Sequence, residues 1–136
     1  MAPFITEVKV RFHHMDRAGM IFHGAYATFF QDAFEDLMEH VGYVEKDLEA
    51  SLGIRLPVVQ HEMTFPAPPE GDQLTIFVTL TRIGTTSLTF ELHARDGPGA
   101  LCAEATIVRV CIDEAGRPTG LPAELVDALE PHLADG

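Results

Sequence analysis

Between His13 and Tyr26 the chain reads His-His-Met-Asp-Arg-Ala-Gly-Met-Ile-Phe-His-Gly-Ala-Tyr, and nowhere else do its reactive groups stand so close together. His13, His14 and His23 share this stretch with a lone acid, Asp16, and two glycines, Gly19 and Gly24. A carboxylate is a general base, or a nucleophile toward an electrophilic carbon. The first N–H groups of a helix are unpaired and sit at the positive end of its dipole, so they can hold the oxygen of a polarised carbonyl. An acid just upstream of such a helix would face the carbonyl carbon. Asp16 reads equally well, from the residues alone, as an acid that caps its own loop. A metal is not expected, because His13, His14, His23 and His61 match neither H-E-x-x-H nor any paired-cysteine spacing. No G-x-S-x-G occurs, which removes the nucleophile elbow of the α/β-hydrolases.

These residues need elements to position them. Residues 4–12 alternate, with Phe4, Thr6, Val8, Val10 and Phe12 on one face, as in a half-buried strand. After the reactive loop the period changes. Tyr26, Phe29, Phe30, Ala33, Phe34, Leu37, Met38 and Val41 fall on one face, and Gln31, Asp32, Glu35, Asp36 and Glu39 on the other. That pattern predicts an amphipathic helix of about 17 residues, stopped by Gly42. A short helical piece spans 45–52, strands are expected at 56–65, 73–83, 87–95 and 101–112, and a terminal helix at 122–133. Tight turns between the later strands predict an antiparallel meander. The reading is one α+β domain, residues 1–136, with a long helix on one face of a curved five-stranded antiparallel sheet. The sheet's outer face is expected to be apolar and its edges unpaired, so a partner subunit should cover them.

Composition narrows the function classes. The chain has 136 residues, 46% hydrophobic and 22% charged, an ordinary globular balance. Nine Lys and Arg against 21 acids give a net charge of −12, without a basic cluster, which excludes nucleic acid as partner. Apolar stretches are too short for a membrane span. The first residues lack the pattern of a signal peptide, so cytoplasmic placement is the expectation. Cys102 and Cys111 lie in one strand-like run, roughly 30 Å apart if it is continuous, too far for a disulfide. Their odd spacing points them to opposite faces, as buried small hydrophobes.

At this point the sequence resembles a known family. Asp16-x-Ala18-Gly19-x-x-x-His23-x-x-Tyr26 before a long helix is similar to the motif of the 4-hydroxybenzoyl-CoA thioesterase family of hotdog-fold proteins, including its broad acyl-CoA branch. The likeness covers nearly the whole chain, with a Pro-rich turn before Gly71-Asp72 and a Gly84–Ser87 turn between strands. The resemblance implies a hotdog acyl-CoA thioesterase, homodimer or homotetramer, working without cofactor. It implies Asp16 as catalytic carboxylate, His23 as assisting histidine, and the N–H groups of His23 and Gly24 as carbonyl-polarising donors. It further implies Gly19 and Tyr26 near the substrate, and Ser87 near the CoA nucleotide; Phe22, with Phe12 and Phe65, reads either as lining of the acyl pocket or as core. The adjacent arginines that some members carry before the turn serine are replaced by Gly84-Thr85-Thr86, leaving Arg82 as the substitute. Acyl-carrier-protein thioesters are a rival substrate, disfavoured by like-charge repulsion. A non-catalytic acyl-binding module is the second rival; a buried carboxylate at the thioester argues against it.

Overall fold

The computed structural model describes residues 3–134, and its elements follow from the two periods in the sequence. Strand β1 (Phe4–Lys9) leads through a one-turn 3-10 helix (Phe12–His14) and the reactive loop into α1 (His23–His40). A 3-10 turn (Glu45–Asp47) and α2 (Leu48–Leu52) follow. Then come β2 (Val58–Thr64), β3 (Gln73–Ile83), β4 (Ser87–Asp96), β5 (Leu101–Val110) and α3 (Ala123–Leu129). The strands form one antiparallel sheet in the order β1-β3-β4-β5-β2, wrapped around α1, the hotdog arrangement that the resemblance implies. Among the described residues, no helix is long and apolar enough to cross a membrane.

Phe29, Phe30, Leu37 and Met38 of α1 are sealed against Ile76, Leu80, Leu88 and Phe90 of the sheet. Phe34 meets Phe90 edge-on, ring centroids 5.4 Å apart. The helix ends in a Schellman motif: Gly42, at φ 101°, donates to Glu39 O, and Tyr43 donates to Met38 O at 2.8 Å. Only glycine takes that left-handed conformation without strain.

Three expectations are corrected. The first strand stops at Lys9, and Phe12, expected on its inner face, is 95% exposed. The cause is local: Val10 N–H donates to Asp72 O at 2.6 Å, and the chain then curls into the 3-10 turn, closed by Arg11 N–H on His14 Nδ1 at 2.8 Å. The sheet's outer face is not apolar. Its middle carries Thr75, Thr79, Glu91, His93, Glu104 and Thr106 around a half-buried Phe77, all alternating with the buried residues. Exposed apolar side chains stand around the reactive loop (Phe12, Met15, Met20, Phe22), along or beside β2 (Val58, Val59, Phe65), on β1 (Ile5) and after α1 (Val44). Finally, Cys102 and Cys111 are both free and fully buried rather than split between faces, because a register shift in β5 turns Cys102 inward.

Candidate active site

The reactive loop is held by its own backbone. Met15 and Ile21 form an isolated antiparallel bridge, Asp16 N–H donates to Met20 O at 2.7 Å, and Phe22 N–H donates to His14 O at 2.8 Å. Gly19 turns the chain at φ 77°, which is why a glycine stands there. Within this turn Asp16 Oδ1 accepts the N–H groups of Ala18 and Met20, at 2.9 and 3.0 Å. Asp16 Oδ2 accepts none among the described residues. The acid therefore does cap its loop, with one oxygen, while the other stays free. Within one chain the Asp16 side chain is exposed, not buried as the second rival's dismissal assumed, because no element among the described residues folds over the loop.

Helix α1 begins directly after this turn. Phe22, in extended conformation, is the N-cap and supplies no side-chain cap. The first bond of the helix start is Ala25 N–H to Phe22 O at 2.8 Å, so the N–H groups of His23 and Gly24 have no partner among the described residues. A Cβ on Gly24 would collide with the Phe22 ring, which gives a packing reason for glycine there. The exposed His23 ring stands 4.8 Å from that of Phe22, between centroids. Tyr26, one turn into the helix, is buried against Phe29, Phe30 and Phe65.

The structure brings Asp16, Gly19, Phe22, His23, Gly24 and Tyr26 together, but not Arg82 and Ser87. Lys9, where β1 runs toward the loop, pairs with Gln73 at the start of β3, whereas Arg82 stands near the other end of that strand. Roughly 30 Å of extended chain separates the two ends. There Gly84 N–H donates to Ser87 O at 2.8 Å and closes the hairpin, and Arg82 is exposed.

His14 has a structural task. Its Nδ1 accepts Arg11 N–H, its ring lies edge-on to Phe29, and its pKa is lowered by burial first, then by His13 and Arg11. An accepting nitrogen requires the neutral ring, so the hydrogen bond and the electrostatics agree. Among the described residues, no His, Cys, Asp or Glu cluster could hold a metal.

Sequence reasoning missed Arg109. It is 3% exposed, lies over the Phe34 ring at 3.6 Å, and donates to Leu56 O at 2.9 Å and to Gln31 Oε1. Glu45 Oε1 stands 3.5 Å away, its pKa raised by burial and partly restored by the guanidinium. The available signal was phase: residue 109 follows Ala105 and Ile107 in the inward alternation of β5. A cavity of about 570 Å³ opens beside this cluster and not at Asp16. Among its charges, Arg109 pairs with Glu45, and Arg55 stands 3.9 Å from Glu49.

Comparison with known proteins bears on the family and the fold. The sequence profile of the thioesterase-like superfamily matches residues 10–129. An acyl-CoA thioester hydrolase, YbgC of Escherichia coli, is 28% identical over 127 residues, covering 90% of this chain and 92% of that one. A 1,4-dihydroxy-2-naphthoyl-CoA hydrolase of Nostoc punctiforme is 28% identical over 136 aligned positions, covering 97% of this chain and 90% of that one. In fold, the chain is similar to the crystal structure of Slr0204, a 1,4-dihydroxy-2-naphthoyl-CoA thioesterase from Synechocystis. The TM-score is 0.85 at 20% identity, over 93% of this chain and 94% of that one.

Proposed function

This chain belongs to the thioesterase-like superfamily, and from that premise we propose that it hydrolyses an acyl-CoA, aromatic or of short to medium chain, to the free acid and CoA. The observation that carries the proposal is a carboxylate with one oxygen fixed and the other free, next to a helix start with two unpaired donors. The substrate's carbonyl oxygen accepts from His23 and Gly24 N–H, which concentrates positive potential where negative charge develops. Asp16 Oδ2 then acts in one of two ways. It attacks the carbonyl carbon, and the tetrahedral adduct expels CoA thiolate to leave a mixed anhydride that water opens. Alternatively it takes a proton from a water that attacks the same carbon. The exposed His23 imidazole stands at the same helix start, able to give the leaving thiolate a proton.

The working form is a homodimer or a dimer of dimers. Strand β2 is an edge, exposed along nearly its whole length, with Val58 and Val59 turned to solvent. Antiparallel pairing of two β2 edges covers both and reverses the second sheet end for end. The partner's hairpin, with its Arg82 and Ser87, then comes to the Asp16 end, where a CoA nucleotide could meet it.

Thiol release from a panel of benzoyl-, hydroxybenzoyl-, phenylacetyl- and linear acyl-CoAs tests the reading. Steady turnover of at least one of them by the wild type is expected. Tight binding of the same esters without thiol release would make the chain a binding module. Turnover confined to acyl-carrier-protein esters would move the substrate class.

A further inference from the structure

A second, smaller cavity, about 180 Å³, adjoins the reactive loop, and its lining bears on which acyl group is taken. Met20 and Ile21 form one wall and the Pro-rich segment after Phe65 another, while Tyr26 and Cys102 complete it. Met20 is also the residue whose N–H holds Asp16 Oδ1, so wall and carboxylate belong to one turn. Tyr26 is only 3% exposed, and its hydroxyl has no hydrogen-bond partner among the described residues. Nor is that hydroxyl sealed in the core: the one side-chain polar atom both sealed and unpartnered among those residues is Arg109 Nε. Tyr26 lines the cavity, so a ligand held there meets its side chain. Burial, then Cys102 and Asp96, push the Tyr26 pKa up to about 12, so the group is a hydrogen-bond donor at neutral pH.

We propose that this cavity is the acyl chamber, and that the Tyr26 hydroxyl donates to an oxygen at the far end of a short or single-ring acyl group. The size argument is direct. An apolar cavity of about 150 Å³ holds one benzene, so about 180 Å³ suits a single six-membered ring or a chain of similar bulk better than two fused rings. The walls are apolar, which suits a ring, and the one donor rewards a ring that carries a hydroxyl or carbonyl oxygen. An acyl group without that oxygen leaves a buried donor unpaired, and a site built around a polar contact discriminates on that basis.

The inference rests on the thioesterase reading, and its test separates the two. The ratio of kcat/KM for 4-hydroxybenzoyl-CoA to that for benzoyl-CoA is measured in wild type and in Tyr26→Phe. It should fall about tenfold or more in the variant, because only one of the esters presents an oxygen. Ala67→Leu, a change in the half-exposed loop that lines the cavity, should lower benzoyl-CoA turnover about tenfold relative to acetyl-CoA. Wild-type enzyme should turn over 2-naphthoyl-CoA at least about tenfold less efficiently than benzoyl-CoA. Circular dichroism and melting identify a variant that has failed to fold, in which case the naphthoyl comparison decides. An active wild type whose ratio does not move in a folded Tyr26→Phe, or which prefers the two-ring ester, overturns the chamber alone. A wild type that hydrolyses none of these esters, acetyl-CoA included, overturns the thioesterase reading as well.

Discussion

At the scale of the residue, the account depends on which atoms remain free once the loop has made its own bonds. Asp16 stood out as the lone acid of a histidine-rich loop before a helix; of its two readings from the residues, the loop cap is the one seen, and it uses a single oxygen. His14 makes the loop sensitive to pH. Its pKa lies below the ordinary 6.5, so the unfolded chain binds the proton more tightly than the folded one. The stability it contributes is therefore present above about pH 6.5 and is lost as pH falls below that value. His14→Asn keeps an acceptor for Arg11 N–H without a titrating ring. Melting temperatures at pH 7.5 and 5.5 should differ less in this variant than in wild type; an equal or larger difference would assign the acid sensitivity to other groups. The role of Arg82 was not legible in the same way, because no residue near it in sequence says which end of the sheet it occupies.

At the scale of the element, α1 could be read to within a residue or two, since a 3.6-residue aromatic stripe followed by glycine admits few other folds. The end of β1 could not. The alternation runs on through Phe12, while a backbone bond to Asp72, more than sixty positions away, turns the chain. Arg109 was missed for a related reason: a charged residue in a strand reads as outward unless its partners are known. Those partners, Leu56, Glu45 and Gln31, lie 53, 64 and 78 positions away. Together they clasp α1 and the following turn to β5. Removing the guanidinium by Arg109→Ala strands Glu45 and Gln31, and breaking a buried pair from one side costs about 3–5 kcal/mol. Urea unfolding should show a loss of that order, and Arg109→Met with Glu45→Gln should recover part of it. A loss below about 1 kcal/mol would mean that solvent replaces the arginine.

At the scale of the whole molecule, the proposed dimer rests on the bare edge at β2 rather than on the mixed outer face of the sheet. Exposed apolar residues lie on β2 and around the reactive loop, with Ile5 on β1. Sedimentation at micromolar concentration should give at least twice the mass of one chain, and Val59→Asp, placing like charges on that edge, should shift the protein toward monomer with loss of activity. A fully active monomer would remove the shared site. All three scales converge on the free oxygen of Asp16. The most direct measurement is kcat for Asp16→Asn, whose amide neither attacks a carbonyl nor takes a proton at neutral pH. With fold and assembly retained, kcat should fall at least about 10²–10³-fold while KM moves little. A variant that keeps a tenth or more of wild-type activity would contradict the account.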